Sequence, residues 1–153
     1  MPGWIEEEAK KRKELRTQVE QRQQWQLQKE EKIREKVPVW FQALLTAVQK
    51  DVEEFNETYP GVEERLGKVE TMGDAAFQVV RNYEPLFLAE VQMKESSISY
   101  KVEFRREGDP TLSSVQGSFQ VQMLESGETQ LFEHNGPISP EKASEKLLRP
   151  ALI

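Results

Sequence analysis

One histidine, three aspartates and no cysteine are all that this 153-residue chain offers beyond glutamate to acid–base, nucleophilic or metal chemistry. An activated nucleophile needs a poised base, most often histidine. The single candidate is His134, next to Glu133 in the stretch Glu133-His134-Asn135-Gly136-Pro137. Asn-Gly is a turn dipeptide, so His134 reads as a solvent-exposed turn residue at a strand end rather than a proton-transfer group. No glycine-rich phosphate loop accompanies it. Asp51, Asp74 and Asp109 are far apart in sequence, and Glu53-Glu54 and Glu63-Glu64 are adjacent pairs. Neighbouring side chains diverge on a helix, and neither the calcium-loop pattern nor a zinc-ligand spacing occurs. The carboxylates therefore read as solvated faces. The expectation is no catalytic residue, no metal ligand and no cofactor.

The residues that polar surroundings explain least are Trp25 and Leu27, in the glutamine-rich stretch QRQQWQLQKEE at 21–31. A solvated helix has no need of a tryptophan, whereas tryptophan is enriched where one protein grips another. The other account is that Trp25 packs back on its own chain. Trp4, close to the terminus, poses the same question, and Leu15 and Val19, four residues apart, offer a short helix–helix contact. These four, Leu15, Val19, Trp25 and Leu27, are the candidate partner contacts. The basic stretch AKKRKELR at 9–16 lies between Glu6-Glu7-Glu8 and further acids, which argues against nucleic acid, where a basic excess on one face is needed. A membrane-adsorbed helix needs a consistent apolar face opposite the basic one, and Arg22, Gln26 and Glu30 interrupt the stripe that would form it.

Charge separates the chain into two parts. Residues 1–36 hold ten Lys/Arg and eight Glu, a net +2, while the remainder holds eleven Lys/Arg and nineteen Asp/Glu, a net −8. With 37% apolar and 31% charged residues, part of the chain must be almost wholly solvated. That part is residues 1–37, a polar helical arm. From Trp4 to Val37 it lacks proline and glycine and is rich in good helix formers. Glu6/Lys10, Glu7/Lys11 and Glu8/Arg12 stand in the favoured acid-first order at i, i+4. Some 33 helical residues span roughly 50 Å. At 100° per residue Trp4, Leu15, Val19, Ile33 and Val37 share one side, with Trp25 and Leu27 off it, so no heptad seam is sustained.

Residues 38–153 read as a single α+β body. Past Pro38 the stripe continues in the same angular register as Trp40, Leu44, Val48 and Phe55, widened by Phe41, Leu45 and Val52. This is the packing helix. Proline removes one helical hydrogen bond and clashes with the preceding turn, so a kink or tight break is expected at Pro38, with Val37-Pro38 starting a second helix as the alternative. Asn56 can cap the helix before Pro60-Gly61. Beyond Arg65 the period changes to 2. Strands are expected over 75–82, 86–93, 97–105, 115–124 and 129–134, with a short one around 68–72. The clearest is SISYKVEFR, with Ile98, Tyr100, Val102 and Phe104 on one face and Ser99, Lys101, Glu103 and Arg105 on the other. Hairpin-sized links imply an antiparallel meander, counted as four to five strands. Ser139 as N-cap and Pro140 at the first helical position open a short C-terminal helix docked by Ala143, Leu147 and Leu148.

The chain has no apolar signal core near its start and no run long enough to span a membrane, and it has no disulfides to form. A cytoplasmic setting is expected. The functional expectation is a non-enzymatic interaction or adaptor module that binds protein, itself or another, through the arm. The alternatives are a binder of a small apolar ligand held between the sheet and the 40–55 helix, and an enzyme whose site sequence does not display.

Overall fold

The computed structural model describes residues 3–61, 65–134 and 136–152. Glu63, Glu64 and Asn135 of the motifs above lie outside these. The chain forms two compact units, Met1–Lys32 and Ile33–Ile153.

Helix α1 runs from Gly3 to Thr58 with Pro38 inside it. Of the readings of Pro38, one helix running through the proline holds, and no second helix starts there. The reason lies in which side the proline occupies. Pro38 and Arg34 are both on the exposed side, whereas Val37 and Phe41 are buried. The Arg34 carbonyl, deprived of its amide partner, is therefore left to water, where its loss is cheap. Asn56 does not cap the helix either. Its amide clips the following loop: Leu66 N donates to Asn56 Oδ1 at 2.8 Å, and Asn56 Nδ2 donates to the Leu66 carbonyl at 3.0 Å. The helix runs on to Thr58, whose hydroxyl donates back to the Glu54 carbonyl.

Seven antiparallel strands follow in a meander whose spatial order is the sequence order. They are β1 (Glu70–Thr71), β2 (Ala76–Arg81), β3 (Phe87–Met93), β4 (Ser97–Phe104), β5 (Ser113–Met123), β6 (Thr129–Glu133) and β7 (Gly136–Pro137). The expected four to five is thus too few, because two strands of two residues each occupy the edges. Gly136-Pro137 reads as a turn in sequence, yet it pairs with β6 through Phe132↔Pro137 and Glu133↔Gly136. Proline cannot donate to a ladder, and an edge is where a strand tolerates it. Such short edges also leave little unpaired backbone to recruit another chain.

The register puts one set of side chains on the inner face. Phe77 opposes Val91, Val91 opposes Tyr100 and Tyr100 opposes Gly117. Ile98 opposes Phe119, and Val121 opposes Leu131. Gly117 is glycine for a steric reason: a Cβ there would stand 2.5 Å from the Tyr100 hydroxyl. That ring is fixed by stacking on Phe119, with centroids 4.9 Å apart. On β4 the buried and less buried residues alternate along all eight positions, as expected. On the outer face Lys101 pairs with Glu103 at 2.7 Å.

The stripe Val37, Phe41, Leu44, Leu45, Val48 and Val52 covers this inner face, with Ile33, Trp40 and Phe55 packed at its margins. Phe41 meets Phe77, centroids 5.4 Å apart. The Trp40 indole N–H is satisfied by Thr129 Oγ1 at 3.1 Å, which ties the helix to β6. Helix α2 (Pro140–Leu148) is capped as expected, Ser139 Oγ accepting from Lys142 N. It buries Ala143, Ser144, Leu147 and Leu148 and passes into a 3₁₀ turn over Arg149–Leu152.

Two outcomes follow. Because the core begins at Ile33, a chain cut before that residue should keep a single cooperative thermal transition. An unfolded 33–153 fragment would place residues 3–32 within the folding unit. Leu44, with no exposed surface, should cost about 2–5 kcal/mol on truncation to alanine, against about 0.5 kcal/mol or less for Lys101→Ala. Denaturant titration of the two variants compares them, and equal costs would mean that the outer face is covered too.

Candidate interaction surfaces

The arm forms the helix expected of it, and its four candidate contacts are all open to water. Leu15 is 62% exposed, Val19 43%, Trp25 56% and Leu27 64%. Leu15 and Val19, one turn apart, share a side. Trp25 and Leu27 do not join them, and at 100° per residue they stand about 160° from each other. The four residues therefore make one apolar pair and two separate points, not a single patch. The Trp25 ring is capped one turn on by Lys29, whose Nζ lies 5.4 Å from its centroid, a contact that an exposed aromatic makes with a cation at modest gain.

None of the three i, i+4 pairs anticipated near the start of the arm forms. Lys11 instead lies 3.9 Å from Glu8 at i, i+3. Exposed pairs of long side chains gain too little to fix one geometry, so the spacing alone does not select the partner.

In the body, the structure places His134 at the end of β6. It is exposed in a turn, and its neighbour Glu133 is engaged by Lys146 of α2. Burial lowers the Lys146 pKa, but hydrogen bonds to Glu133 and Tyr100 outweigh it and raise the pKa above the ordinary lysine value. The amine also lies 5.9 Å from the Tyr100 ring centroid. Glu133 and Lys146 thus act as a brace between β6 and α2.

Two polar residues with positional roles are missed in the sequence reading. Arg81 is 5% exposed. It occupies the inner parity of β2 after Phe77 and Val79, and that alternation is the signal that could have found it. Its Nε donates to the Pro85 carbonyl at 2.8 Å and its Nη2 to the Ala151 carbonyl at 3.0 Å. The guanidinium thereby joins the end of β2, the loop with the cis Glu84–Pro85 bond and the C-terminal turn. Asp51 is the second. Read from sequence as a solvated acid, it accepts a 2.7 Å hydrogen bond from Ser144 Oγ, whose side chain is fully buried. Ser144 adjoins Ala143 and precedes Leu147 by three residues, so it falls on the docking face of α2.

Where α2 meets the last turns of α1 there is a groove of about 530 Å³. Phe55, Tyr59, Leu148 and Leu152 form its apolar part, and Asp51, Glu54, Glu141, Glu145 and Arg149 its charged rim. The Phe55 and Tyr59 rings meet at a tilt, with centroids 5.0 Å apart. Glu145 sits between two cations, Lys142 at 3.2 Å and Arg149. The hydrogen bond and charge of Lys142, then the charge of Arg149, hold its carboxyl below the ordinary glutamate range. The space between α1 and the middle of the sheet is filled by Leu44, Val48, Phe77, Val79 and Val91, all of them fully or almost fully buried.

Among the described residues, no helix is long and apolar enough to cross a membrane, and no three His, Cys, Asp or Glu side chains gather as a metal-binding group. No protein family, curated protein or solved structure matches the chain.

The Asp51–Ser144 bond predicts a modest loss. Ser144→Ala should lower stability by about 1–2 kcal/mol, since it leaves a half-buried carboxylate short of a donor. An unchanged thermal midpoint would mean that apolar contacts alone dock α2.

Proposed function

We propose that the protein is a non-enzymatic interaction or adaptor module of the cytoplasm. On this reading it engages protein, a second copy of itself or another chain, through Leu15, Val19, Trp25 and Leu27 of the arm. The observation that supports it is the exposure of all four in an arm made mostly of charged and glutamine residues. Helices in proteins owe most of their stability to packing, and the arm's ion pairs contribute only about 0.2–0.5 kcal/mol each. Burying one large apolar side chain against a partner contributes roughly 1.5–3 kcal/mol. A cysteine-free sequence suits a reducing compartment.

Leu15→Asp combined with Trp25→Ala tests the reading. The double variant should keep the thermal transition of the body while weakening self-association, or capture of another protein, by about tenfold or more. Sedimentation velocity over a concentration series measures the first, and affinity capture with the purified chain as bait the second. A wild type that is monomeric throughout and captures nothing overturns the reading, as does a double variant that associates as the wild type does.

A further inference from the structure

The groove beside the end of α1 combines two properties that ordinary surface lacks together. Its apolar part is open: Tyr59 is 40% exposed and Leu152 59%. Its rim is acidic, and two of the acids are uncommitted. Asp51 holds Ser144, and Glu145 is paired with Lys142 and Arg149, but among the described residues no cation lies on Glu54 or Glu141. An occupant must therefore bring apolar side chains and two or more cations in one short segment.

The arm carries such a segment. Lys11 and Arg12 lie one turn before Leu15, and Val19 lies one turn after it, so these four share a side of the helix. Lys10, Arg12 and Lys13 make no ion pair among the described residues, and Lys11 makes only the long contact to Glu8. Cations thus lead into exposed Leu15 and Val19, complementing acids that border exposed Tyr59 and Leu152. The wider charge pattern has the same sense, since residues 1–36 are net positive and the remainder strongly negative. Such complementarity steers association and sets register. A volume of about 530 Å³ falls among sites of roughly 300–1,000 Å³ that hold ligand-sized groups.

We propose that the groove formed by Glu54, Phe55, Tyr59, Glu141 and Leu152 receives the Lys11–Val19 face of a second copy's arm. The inference rests on the arm being an interaction element and adds the partner and the surface that receives it.

A charge swap in the full-length chain tests it. One variant carries Glu54→Lys and Glu141→Lys, both at exposed positions. The other carries Lys11→Glu and Arg12→Glu. Alone, each places like charges on arm and groove, and each should self-associate at least about tenfold more weakly than the wild type. Mixed in equal amounts, the two variants offer each other complementary pairs, and sedimentation velocity should show association restored. Restoration also shows that neither variant had lost its fold. If the groove variant associates as the wild type does while Leu15→Asp/Trp25→Ala does not, the groove is wrong and the arm reading stands. If the mixture stays as dissociated as its parts, or the wild type is monomeric at every concentration, the second-copy proposal is overturned. The arm reading is then decided by protein capture.

Discussion

A sheet with a single apolar face has to be covered, and here one stretch of helix does most of the covering. The meander sets Phe77, Val79, Val91, Ile98, Val102 and Phe119 on one side because strand side chains alternate, and a one-residue slip would turn all of them to water. The stripe from Val37 to Val52 is the matching surface. Its angular continuity across Pro38 is what this cover requires: a second helix starting at Pro38 could take a new direction and leave Val37 outside the core. The proline is tolerated because it faces away from the sheet, where the carbonyl it orphans is hydrated.

Apolar burial is non-directional, so it does not by itself determine how far along the sheet a helix sits. Directional bonds between distant parts of the body do this. Trp40 reaches Thr129, Asp51 receives Ser144, Asn56 holds Leu66 by both the oxygen and the nitrogen of its amide, and Arg81 bonds the Pro85 and Ala151 carbonyls. Their combined effect bears on function. By fixing α2 against the last turns of α1, the Asp51–Ser144 bond leaves Phe55, Tyr59 and Leu152 lining a cleft with carboxylates along its edge. A surface held in this way has little left to order, and ordering side chains and loops is part of what weakens binding.

The long strands, both helices and the α2 cap were legible because each follows from a local rule: period 2, period 3.6, or a Ser-Pro helix start. Of the two edge strands, β1 falls within the short strand expected around 68–72, whereas β7 was not legible, since two residues carry no period and Gly136-Pro137 has the composition of a turn. The angular register across Pro38 was legible, but whether one helix or two carried it was left open, because propensity counts the lost hydrogen bond without knowing which side of the helix is wet. Leu15, Val19, Trp25 and Leu27 could be singled out as apolar residues in polar surroundings, but their exposure could not. Neither could the groove, whose lining comes from residues 51–59 and 141–152.

By itself, the sequence determined the class of the fold, the face of each long element that turns inward, the polar character of the arm and the absence of cysteine chemistry. These depend on neighbours within a few residues, where side-chain type and spacing are sufficient. Only the tertiary structure decided that Arg81 is buried, that Asp51 serves α2 and that Asn56 clips a loop instead of ending a helix. It also decided that an acidic, apolar cleft stands beside Tyr59. Each of these depends on a partner brought close by folding, and a polar side chain's role is set by the donor or acceptor it meets there rather than by its own chemistry.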